Sequence, residues 1–435
     1  MIVVLVLALL FALLFLAVPV SFAILIAGIV GLYEVGGYYA VAGILKSGPY
    51  DHVVSYTLTT LPMFVLMAEL MTAARVTSDL FRAANSWLGH LRGGLAYAAV
   101  SGGVLLAAVC GSSSAAAATL SSSIHPEMRR YGYSDGFSTG AIAAVGTLAI
   151  MIPPSIALVL YAILTETSVG KLLLAGVIPG LLTAVTYAVV IGIILRRSST
   201  AVTGAAQEYV PLARRFRTSM PAMPMFVLLV AMLVLIYTGI VTPTEVGALG
   251  ALSALVIAVV MGRTSREAMV TALFRATRSS AMIFSIIAFS SVFSVFLTLS
   301  GAPQKALILV QSSGLGPTPV LVMVIMIILA LGVFLDQIAI LIITMPLVFP
   351  LMTGLGYDPI WLGIIVVKTA EIGLLTPPVG MNLFIVSAAS KVPVATVARG
   401  VIPFCVAELL VLFLLVVFPG ISLWLPGTSS SYGGE

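Results

Sequence analysis

Long runs of apolar residues, separated by short polar segments, occupy almost the whole length of the chain. Most of these runs approach or exceed about 20 residues, the length that an α-helix needs to cross the hydrocarbon core of a membrane. We therefore predict ten membrane-spanning helices, near residues 2–17, 18–36, 55–74, 138–164, 172–195, 221–240, 244–262, 279–300, 359–390 and 397–419. The pattern predicts an all-α protein that crosses the membrane many times.

Two further apolar runs, residues 94–125 and 317–350, are interrupted near their middle. The first is broken at residues 111–114 (GSSS) and the second at residues 335–337 (LDQ). Each half is then only about 15 residues long, which is too short to cross the membrane. We predict two re-entrant helical hairpins with tips at mid-membrane, where non-helical backbone must be buried in protein or line a wet cavity. Two adjacent short spans are the alternative for each run.

Composition excludes a soluble protein. Hydrophobic residues make up 61% of the 435 residues and charged residues 8%, whereas an average soluble domain carries about 25% charged residues. The two cysteines, Cys110 and Cys405, lie in apolar runs, which argues against a structural disulfide. No basic residue precedes the first apolar run, so we interpret it as a span and not as a secretory signal peptide.

The distribution of lysine and arginine predicts the orientation. If the N-terminus lies outside, all 15 arginines and Lys391 fall in inside segments, and only Lys46, Lys171 and Lys305 fall outside. Cytoplasmic loops carry such an excess of basic residues. The asymmetry supports treating both hairpins as non-crossing, because counting either as a single full span would invert everything after it. The inside segments are residues 75–93, 125–136, 196–220, 263–278 and 391–399. Both termini then lie outside, and amphipathic segments near 76–90 and 302–313 lie along opposite interfaces.

The two halves of the chain repeat each other at an offset of 224 residues. The matches in register are Pro126 with Pro350, Gly132-Tyr133 with Gly356-Tyr357, Pro153-Pro154 with Pro377-Pro378, Gly176 with Gly400, and Pro179 with Pro403. In the predicted topology the first copy starts inside and the second outside, so the repeat is inverted. Inverted repeats with paired broken helices are typical of secondary transporters, which bind substrate and ions near the midplane. A duplicated scaffold without transport activity is the alternative.

Each copy contains a double proline inside a long apolar span, Pro153-Pro154 in the first and Pro377-Pro378 in the second. Proline removes a backbone donor and clashes with the preceding turn, so two in a row should unwind the helix. The freed carbonyls are oxygen ligands suited to an alkali cation, and the new helix N-termini direct partial positive charge at the same place. A simple kink would explain one double proline but not two in repeat register.

The hairpin tips and a few acids supply further candidate ligands. We predict ion or substrate contacts for Ser112 and Asp336, because a carboxylate at mid-membrane is costly and functional by default. Close packing of helices by small residues is the alternative for the serine-rich tip. Lys368 and Glu371 are three residues apart and can pair on one helix face. Glu69 and Glu408 have no identifiable partners in the sequence, and we expect them to serve packing or interfaces.

The sequence contains no pattern typical of an enzyme. The histidines His52, His90 and His125 are isolated, and no zinc-ligand spacing, nucleophile elbow or phosphate-binding loop is present. We therefore expect no catalytic residues, no transition metal and no ATP hydrolysis in this chain. The loop arginines account for the net charge of +5, so no nucleic-acid partner is needed to explain it. A channel is an alternative, although inverted repeats suit alternating access better.

Several segments resemble the large membrane subunit of tripartite ATP-independent periplasmic (TRAP) transporters, over essentially the whole chain. These segments are residues 111–118 (GSSSAAAA), 131–133 (YGY) with Phe137, 152–155 (IPPS), 175–180 (AGVIPG), 334–336 (FLD) and 376–380 (TPPVG). The resemblance implies an ion-transporter-superfamily fold in which a mobile transport domain moves like an elevator against a scaffold. The scaffold helices and interfacial arms are then expected in residues 1–93 and 221–313, and the transport domain in residues 94–195 and 317–419.

The resemblance also implies the binding sites. One sodium ion is expected between the first hairpin tip and the first broken helix, at Ser112, Ser114, Gly146 and Thr147, with Ser155 beside them. A second sodium ion is expected at the second tip and the second broken helix, at Asp336, Gly373, Thr376 and Gly380. The substrate is expected between the two ions, at Ser155, Pro154, Pro378 and Asn382. Sodium is the only cofactor implied.

By the same resemblance, the chain imports organic acids of the C4-dicarboxylate or sialic-acid type by sodium symport across a bacterial or archaeal cytoplasmic membrane. The implied partners are a periplasmic substrate-binding protein and a small four-helix membrane subunit, expected as a separate chain because residue 1 begins the first span. A stand-alone sodium/carboxylate symporter of the same superfamily is the alternative, although its usual Ser-Asn-Thr tips are absent. We expect Lys368, sodium ions and helix dipoles to supply positive charge for the anion.

Overall fold

The computed structural model describes residues 2–74, 76–197, 209–262 and 264–429, and within these ranges it is helical without strands. The first half contains α1 (Ile2–Phe15), α2 (Val20–Val53), α3 (Thr60–Ala73), α4 (Val76–Leu88), α5 (Gly94–Cys110), α6 (Ser113–Ser123), α7 (His125–Arg130), α8 (Asp135–Met151), α9 (Ile156–Leu164) and α10 (Val169–Arg197). The second half contains α11 (Leu212–Ser219), α12 (Met223–Thr238), α13 (Pro243–Val260), α14 (Arg266–Leu299), α15 (Ala302–Ser312), α16 (Pro317–Phe334), α17 (Gln337–Gly354), α18 (Pro359–Leu375), α19 (Met381–Ser390), α20 (Val394–Val417) and α21 (Gly420–Thr428). Several positions in the predictions lie outside the described part, namely Arg75, Arg263, residues 198–208 and the side chain of Cys110.

The helices confirm the predicted polytopic architecture. In the described ranges, nine helices are long and apolar enough to cross a membrane, and α8 with α9 forms a tenth candidate span that bends by 42° at its break. Two lengths differ from the prediction. α1 has only 14 residues, and the hairpin arms α16 and α17 have 18 residues each. The polar break between these arms, and not their length, therefore marks the second hairpin.

Two helices extend well beyond their predicted spans. α2 continues past residue 36 to Val53, with a local break at Gly37, whose φ is 69°. α14 begins at Arg266 and not near residue 279, because the Ser265 hydroxyl accepts a hydrogen bond from the Ala268 amide and caps the helix. Hydropathy identifies only the apolar part of a helix, which is why these polar extensions were not predicted.

The predicted amphipathic segments are helices α4 and α15. α4 packs against α5 and against α11. The sequence did not predict α7, α11 or α21, because each has fewer than ten residues and α11 carries three arginines among its eight residues. A hydropathy window of about 20 residues averages such short helices into their surroundings.

The internal repeat is visible in the helix bounds. α6 and α17 begin at residues 113 and 337, α8 and α18 begin at residues 135 and 359, and the latter two end at residues 151 and 375. Each of these pairs is separated by the offset found in the sequence. Each copy therefore consists of a hairpin, a broken helix and a long helix, namely α5–α6, α8–α9 and α10 in the first and α16–α17, α18–α19 and α20 in the second.

The chain breaks have local causes in the sequence. Gly111 ends α5 with a φ of 56°, in the left-handed region that favours glycine. Asp336 is extended, and its carboxylate caps α17 by accepting a hydrogen bond from the Ala339 amide at 2.8 Å. The double prolines interrupt the broken helices as predicted, after Met151 in α8 and after Leu375 in α18.

The two copies of the repeat pack into one another. α20 lies along α8, and α19 contacts α6. The crossing of α8 and α20 requires glycine, because a Cβ at Gly400 would lie 1.8 Å from the Gly136 carbonyl oxygen. A second group of helices includes α2, α3, α13 and α14, in which α14 packs against α2 and α3. We assign the first group to the predicted transport domain and the second to the predicted scaffold, and this division stays a prediction.

Candidate functional site

A cavity of about 300 Å³ lies where the two hairpin tips meet the second halves of both broken helices. The residues that the repeats contribute to its lining include Gly111, Ser112, Ser113 and Ser114 of the first tip, Asp336 and Gln337 of the second tip, Ile156 of α9 and Met381 of α19. The opposite wall belongs to α3 and α14, which contribute Glu69 and Ser279. The four chain breaks therefore converge on one place in the folded molecule.

The first hairpin tip is held by both broken helices. The Asn382 side-chain amide donates a hydrogen bond to the Ser113 hydroxyl at 2.5 Å, and the Ser114 hydroxyl lies 4.0 Å from the sulfur of Met381. On the other side, a Cβ at Gly111 would lie 3.2 Å from the Pro154 carbonyl oxygen. The tip therefore contacts α19 of the second copy as well as the break of its own copy.

The second hairpin tip places a carboxylate in the cavity wall. Asp336 is half-buried, and one of its oxygens accepts the hydrogen bond from Ala339 that caps α17. A helix N-terminus favours negative charge at this position. Because an ionised carboxylate has two oxygens with several acceptor sites, capping α17 leaves Asp336 able to bind a cation as well.

The predicted ligands fall into two groups. Ser112, Ser114 and Asp336 line the cavity. The remaining predicted ligands lie in the surrounding helices and breaks, outside this lining, and are Gly146, Thr147, Pro154, Ser155, Gly373, Thr376, Pro378, Gly380 and Asn382. Ser155 caps α9 by accepting a hydrogen bond from the Leu158 amide, and Asn382 supports the first tip. The roles of both groups in binding sodium or substrate stay predictions.

Three of the predicted sodium ligands make close contacts within the protein. A Cβ at Gly146 would lie 2.9 Å from the Cβ of Ala117, and a Cβ at Gly373 would lie 2.5 Å from the Cα of Gly332. The Thr376 hydroxyl donates a hydrogen bond to a carbonyl of its own helix, four residues earlier, at 2.6 Å. Helix packing alone therefore accounts for the two glycines.

The second break also gathers backbone oxygens. A Cβ at Gly380 would lie 2.5 Å from the Leu374 carbonyl oxygen and 2.9 Å from that of Thr376. Unwound backbone carbonyls of this kind coordinate Na⁺ in transporters with broken helices. In the described ranges, no three His, Cys, Asp or Glu side chains are grouped closely enough to hold a metal ion. The oxygen donors at the tips and at the second break are compatible with sodium, and sodium binding there stays a prediction.

A buried charge cluster lies between the helices of both copies. The Lys368 ammonium contacts the carboxylates of Glu371, at 3.4 Å, and Glu408, and it donates a hydrogen bond to the Thr183 hydroxyl at 3.0 Å. The Tyr187 hydroxyl donates to Glu408. All three charged side chains are 0% exposed. The predicted pair of Lys368 and Glu371 is confirmed, and Glu408 has a partner that the sequence did not reveal.

This cluster corrects one expectation about the substrate. Lys368 is occupied by two carboxylates and does not line the described cavity, so it does not supply positive charge to an anion there. Thr147 belongs to the surroundings of the same cluster, because its hydroxyl lies 3.0 Å from that of Tyr187. At the repeat offset, Thr147 is the counterpart of Glu371, so the cluster lies where the two copies meet.

Two lining residues of the opposite wall were not predicted as site residues. Glu69 of α3, which we expected to serve packing or an interface, lines the cavity together with Ser279 of α14. An acid inside an apolar span is a signal of function, and this signal identifies Glu69. A single serine in a long helix carries no comparable signal, so Ser279 is found only from the structure.

Comparison of the sequence with known proteins identifies the family of this chain. The family model described as "Tripartite ATP-independent periplasmic transporter, DctM component" matches residues 7–421. The chain is 38% identical over 372 residues to the C4-dicarboxylate TRAP transporter large permease protein DctM of Pseudomonas aeruginosa, covering 85% of this chain and 86% of that protein. It is 30% identical over 425 residues to the sialic acid TRAP transporter large permease protein SiaM of Vibrio cholerae, covering 97% of each. It is also 30% identical over 416 residues to the ectoine TRAP transporter large permease protein TeaC of Halomonas elongata, covering 95% of this chain and 96% of that protein.

A solved structure bears on the fold. The crystal structure of the YdaH transporter of Alcanivorax borkumensis superposes with a TM-score of 0.64 and covers 89% of this chain and 90% of that one. At 14% sequence identity this likeness concerns the fold alone. The family match extends over nearly the whole chain and agrees with the relatives named above. This chain therefore belongs to the large permease family, the DctM component, of tripartite ATP-independent periplasmic transporters.

Proposed function

We propose that this chain is the large membrane subunit of a sodium-coupled importer of organic acids. The cavity is the observation that supports this most, because both hairpin tips and both broken helices meet there and present oxygen donors. Secondary transporters bind substrate and ions at such discontinuous helices near the midplane. A volume of about 300 Å³ lies at the lower end of the range for small-molecule sites.

Sodium would be held at the cavity by Ser112, Ser114 and Asp336, with backbone carbonyls of the breaks, and would supply positive charge next to the substrate. The N-termini of α9 and α19 at the same cavity favour an anion as well. Sodium and the helix N-termini thus supply the positive charge that we had expected from Lys368, whose own charge is compensated by Glu371 and Glu408. A net positive charge moving inwards gains about 2.3 kcal/mol per 100 mV of membrane potential, so co-transport of more sodium than substrate charge is favoured electrically.

Two relatives support the proposed substrate class. The C4-dicarboxylate permease of Pseudomonas aeruginosa is 38% identical and the sialic acid permease of Vibrio cholerae 30% identical, so we propose a C4-dicarboxylate first and a sialic acid second. The substrate would arrive on a periplasmic binding protein, and a small four-helix membrane subunit would complete the complex.

The arrangement of the cavity also supports an elevator motion. One wall belongs to the repeats and the opposite wall to α3 and α14, so a rigid movement of the repeats against the scaffold would carry the bound solute across the membrane. The N-terminus and the C-terminus would both be periplasmic, because this orientation places the arginine-rich segments in the cytoplasm.

Uptake into proteoliposomes tests the proposal. The chain is reconstituted with its small subunit and its binding protein, and uptake of radiolabelled succinate and N-acetylneuraminate is measured with an inward sodium gradient. We expect uptake of one of these solutes, and we expect it to stop when potassium replaces sodium. Uptake that does not depend on the sodium gradient would contradict the proposed coupling of solute to sodium. Uptake by this chain without its partners would favour the stand-alone symporter.

A further inference from the structure

A second cavity, of about 360 Å³, adjoins the central one along the scaffold. Glu69 lines both cavities. From Glu69 the second cavity follows α3 to Thr72 and α14 through Arg275 to Thr271. Arg275 and Thr271 lie about one and two helical turns from Ser279, which lines the central cavity, and therefore on the same face of α14. The two cavities share Glu69, and we call the two together the α3–α14 groove.

The outer end of the α3–α14 groove lies at the arginine-rich side of the molecule. Ser265 and Glu267, at the start of α14, line this end, and Arg266 lies between them in the sequence. Basic residues accumulate on the cytoplasmic side of membrane proteins. Given the orientation in the proposed function, the groove therefore leads from the central cavity to the cytoplasm.

The second cavity carries an acid and a base near the central cavity. Glu69 is half-buried and Arg275 is exposed, and both side chains line the second cavity. Among the described residues that line either cavity, Arg275 is the one cation. Because Lys368 is compensated by two carboxylates, Arg275 is the positive side chain that an anion leaving the central cavity would meet.

We propose that the α3–α14 groove is the release path to the cytoplasm and that Arg275 guides organic anions along it. This inference rests on the proposed function. A guanidinium presents paired donors that match a carboxylate, so Arg275 can bind an outgoing organic anion. The carboxylate of Glu69 favours the sodium ions that leave by the same path. Arg275 is a positioning residue, because it lies outside the central cavity.

Charge-selective labelling of a single cysteine tests this inference. In a chain carrying Cys110→Ala and Cys405→Ala, the substitution Ser279→Cys places one thiol in the central cavity, about one turn beyond Arg275. Sealed inside-out vesicles are treated with an anionic or a cationic methanethiosulfonate, neither of which crosses membranes. The ratio of the two labelling rates reports the charge selectivity of the path from the cytoplasmic side.

We expect the thiol to be labelled from the cytoplasmic side. Arg275→Gln should lower the anion-to-cation ratio roughly tenfold, at the low end of the rate effects of charged clefts. Arg275→Lys should retain most of the wild-type anion-to-cation labelling ratio, and Glu69→Gln should raise this ratio. Arg278→Gln is the matched control, since Arg278 is exposed on the same helix and lines neither cavity. An uncharged methanethiosulfonate should react equally with all variants, which verifies that each keeps a folded, open groove.

Two results would overturn the inference: no labelling from the cytoplasmic side, or an unchanged ratio in Arg275→Gln. The assay needs neither a substrate nor a sodium gradient, so it is independent of the uptake experiment. A chain without sodium-driven uptake whose labelling still depends on Arg275 would refute the proposed coupling and support the groove. A chain with sodium-driven uptake but without this dependence would refute the role of Arg275 alone.

Discussion

Lys368 lies between two carboxylates, with no exposure to solvent. Removing one partner of a buried ion pair costs about 3–5 kcal/mol, because the remaining charge is left uncompensated. We therefore expect Lys368→Met to lower the free energy of unfolding by about that amount, since Glu371 and Glu408 then face each other without a cation. Thermal unfolding in detergent, followed by tryptophan fluorescence, measures the change.

Two further variants control this experiment. Lys46→Met removes an exposed lysine on α2 and should change stability by less than about 0.5 kcal/mol. The triple variant Lys368→Met, Glu371→Gln, Glu408→Gln removes all three charges and should recover most of the lost stability, because uncharged groups of similar volume replace the ions. If Lys368→Met were as stable as the wild type, the buried ion pairs of Lys368 with Glu371 and Glu408 would not stabilise the protein.

Asp336 caps α17 and lines the cavity, and two substitutions separate these roles. Asp336→Asn keeps an oxygen for the cap but removes the charge, so we expect nearly wild-type stability. Asp336→Ala loses the cap too and should cost about 1 kcal/mol. Both substitutions should raise the sodium concentration for half-maximal uptake at least about tenfold. Mutating a residue that only supports a metal ligand already lowers metal affinity about 10–100-fold. Normal sodium dependence in Asp336→Asn would leave capping as its only role.

Single residues were predictable from the sequence where they break a local pattern. Ser112 and Asp336 interrupt apolar runs, and both line the cavity. The partners of Glu408 were not predictable, because Lys368 and Tyr187 lie far from it in the chain and no spacing rule connects them. Sequence spacing revealed the Lys368–Glu371 pair only because both residues are on one helix.

The contact between α16 and α18 depends on Gly332 and Gly373, whose backbones meet directly. A Cβ at position 373 would lie 2.5 Å from the Cα of Gly332, so Gly373→Ala must push the hairpin arm away from the broken helix. We expect a loss of about 1–3 kcal/mol in stability, as for other overpacked sites. Thermal unfolding measures it without any assumption about sodium.

Gly43→Ala is the matched control for Gly373→Ala. Gly43 also lies inside a helix, α2, and a Cβ there meets nothing within 4 Å. Because alanine favours a helix by up to about 1 kcal/mol over glycine, this variant should be as stable as the wild type or slightly more. If both variants behave alike, close packing does not explain the glycine at position 373.

Helices were predictable from the sequence where an apolar run and a breaking residue coincide. The ends of α8 and α18 lie directly before the double prolines, as the sequence indicated. The polar start of α14 was missed, because Ser265 caps the helix about four turns before the apolar run begins. Short helices such as α11 were missed because their stability comes from packing against neighbours and not from their own sequence.

The topology of the complete chain rests on two hairpins that do not cross the membrane. In a chain without its native cysteines, we expect Tyr50→Cys and Trp424→Cys to react with an impermeant thiol reagent from the periplasmic side. Arg217→Cys should react only from the cytoplasmic side. All three residues are exposed, and labelling of right-side-out and inside-out vesicles measures the difference.

Each pair of these positions tests one hairpin. Residues 50 and 217 flank the first hairpin, and residues 217 and 424 flank the second. Labelling of Tyr50→Cys and Arg217→Cys from the same side would mean that the first hairpin is a single span and crosses the membrane once. The same result for Arg217→Cys and Trp424→Cys would show this for the second hairpin. A Lys46→Cys variant, close to Tyr50 on α2, verifies the outer side.

The general arrangement was predictable because the chain repeats itself. The offset of 224 residues identified equivalent elements, and the helix bounds agree with it. An offset identifies counterparts but not neighbours, so the contact of α19 with the first hairpin tip was not predictable. Ser279 was missed for a similar reason, because the docking of α14 against the repeats depends on the folded shape. Glu69 carried a signal, as an acid inside an apolar span, but its place in the cavity wall was not predictable.

The hydrogen bond between Ser113 and Asn382 has a consequence for biosynthesis. Its two residues are 269 positions apart. Because ribosomes add about 5–20 residues per second, Asn382 is synthesised roughly 15–50 s after Ser113. During that interval the Ser113 hydroxyl lacks the Asn382 amide as its hydrogen-bond donor. A chain truncated before α19 never supplies this donor, so its first hairpin tip lacks one of the contacts that hold it in the complete protein.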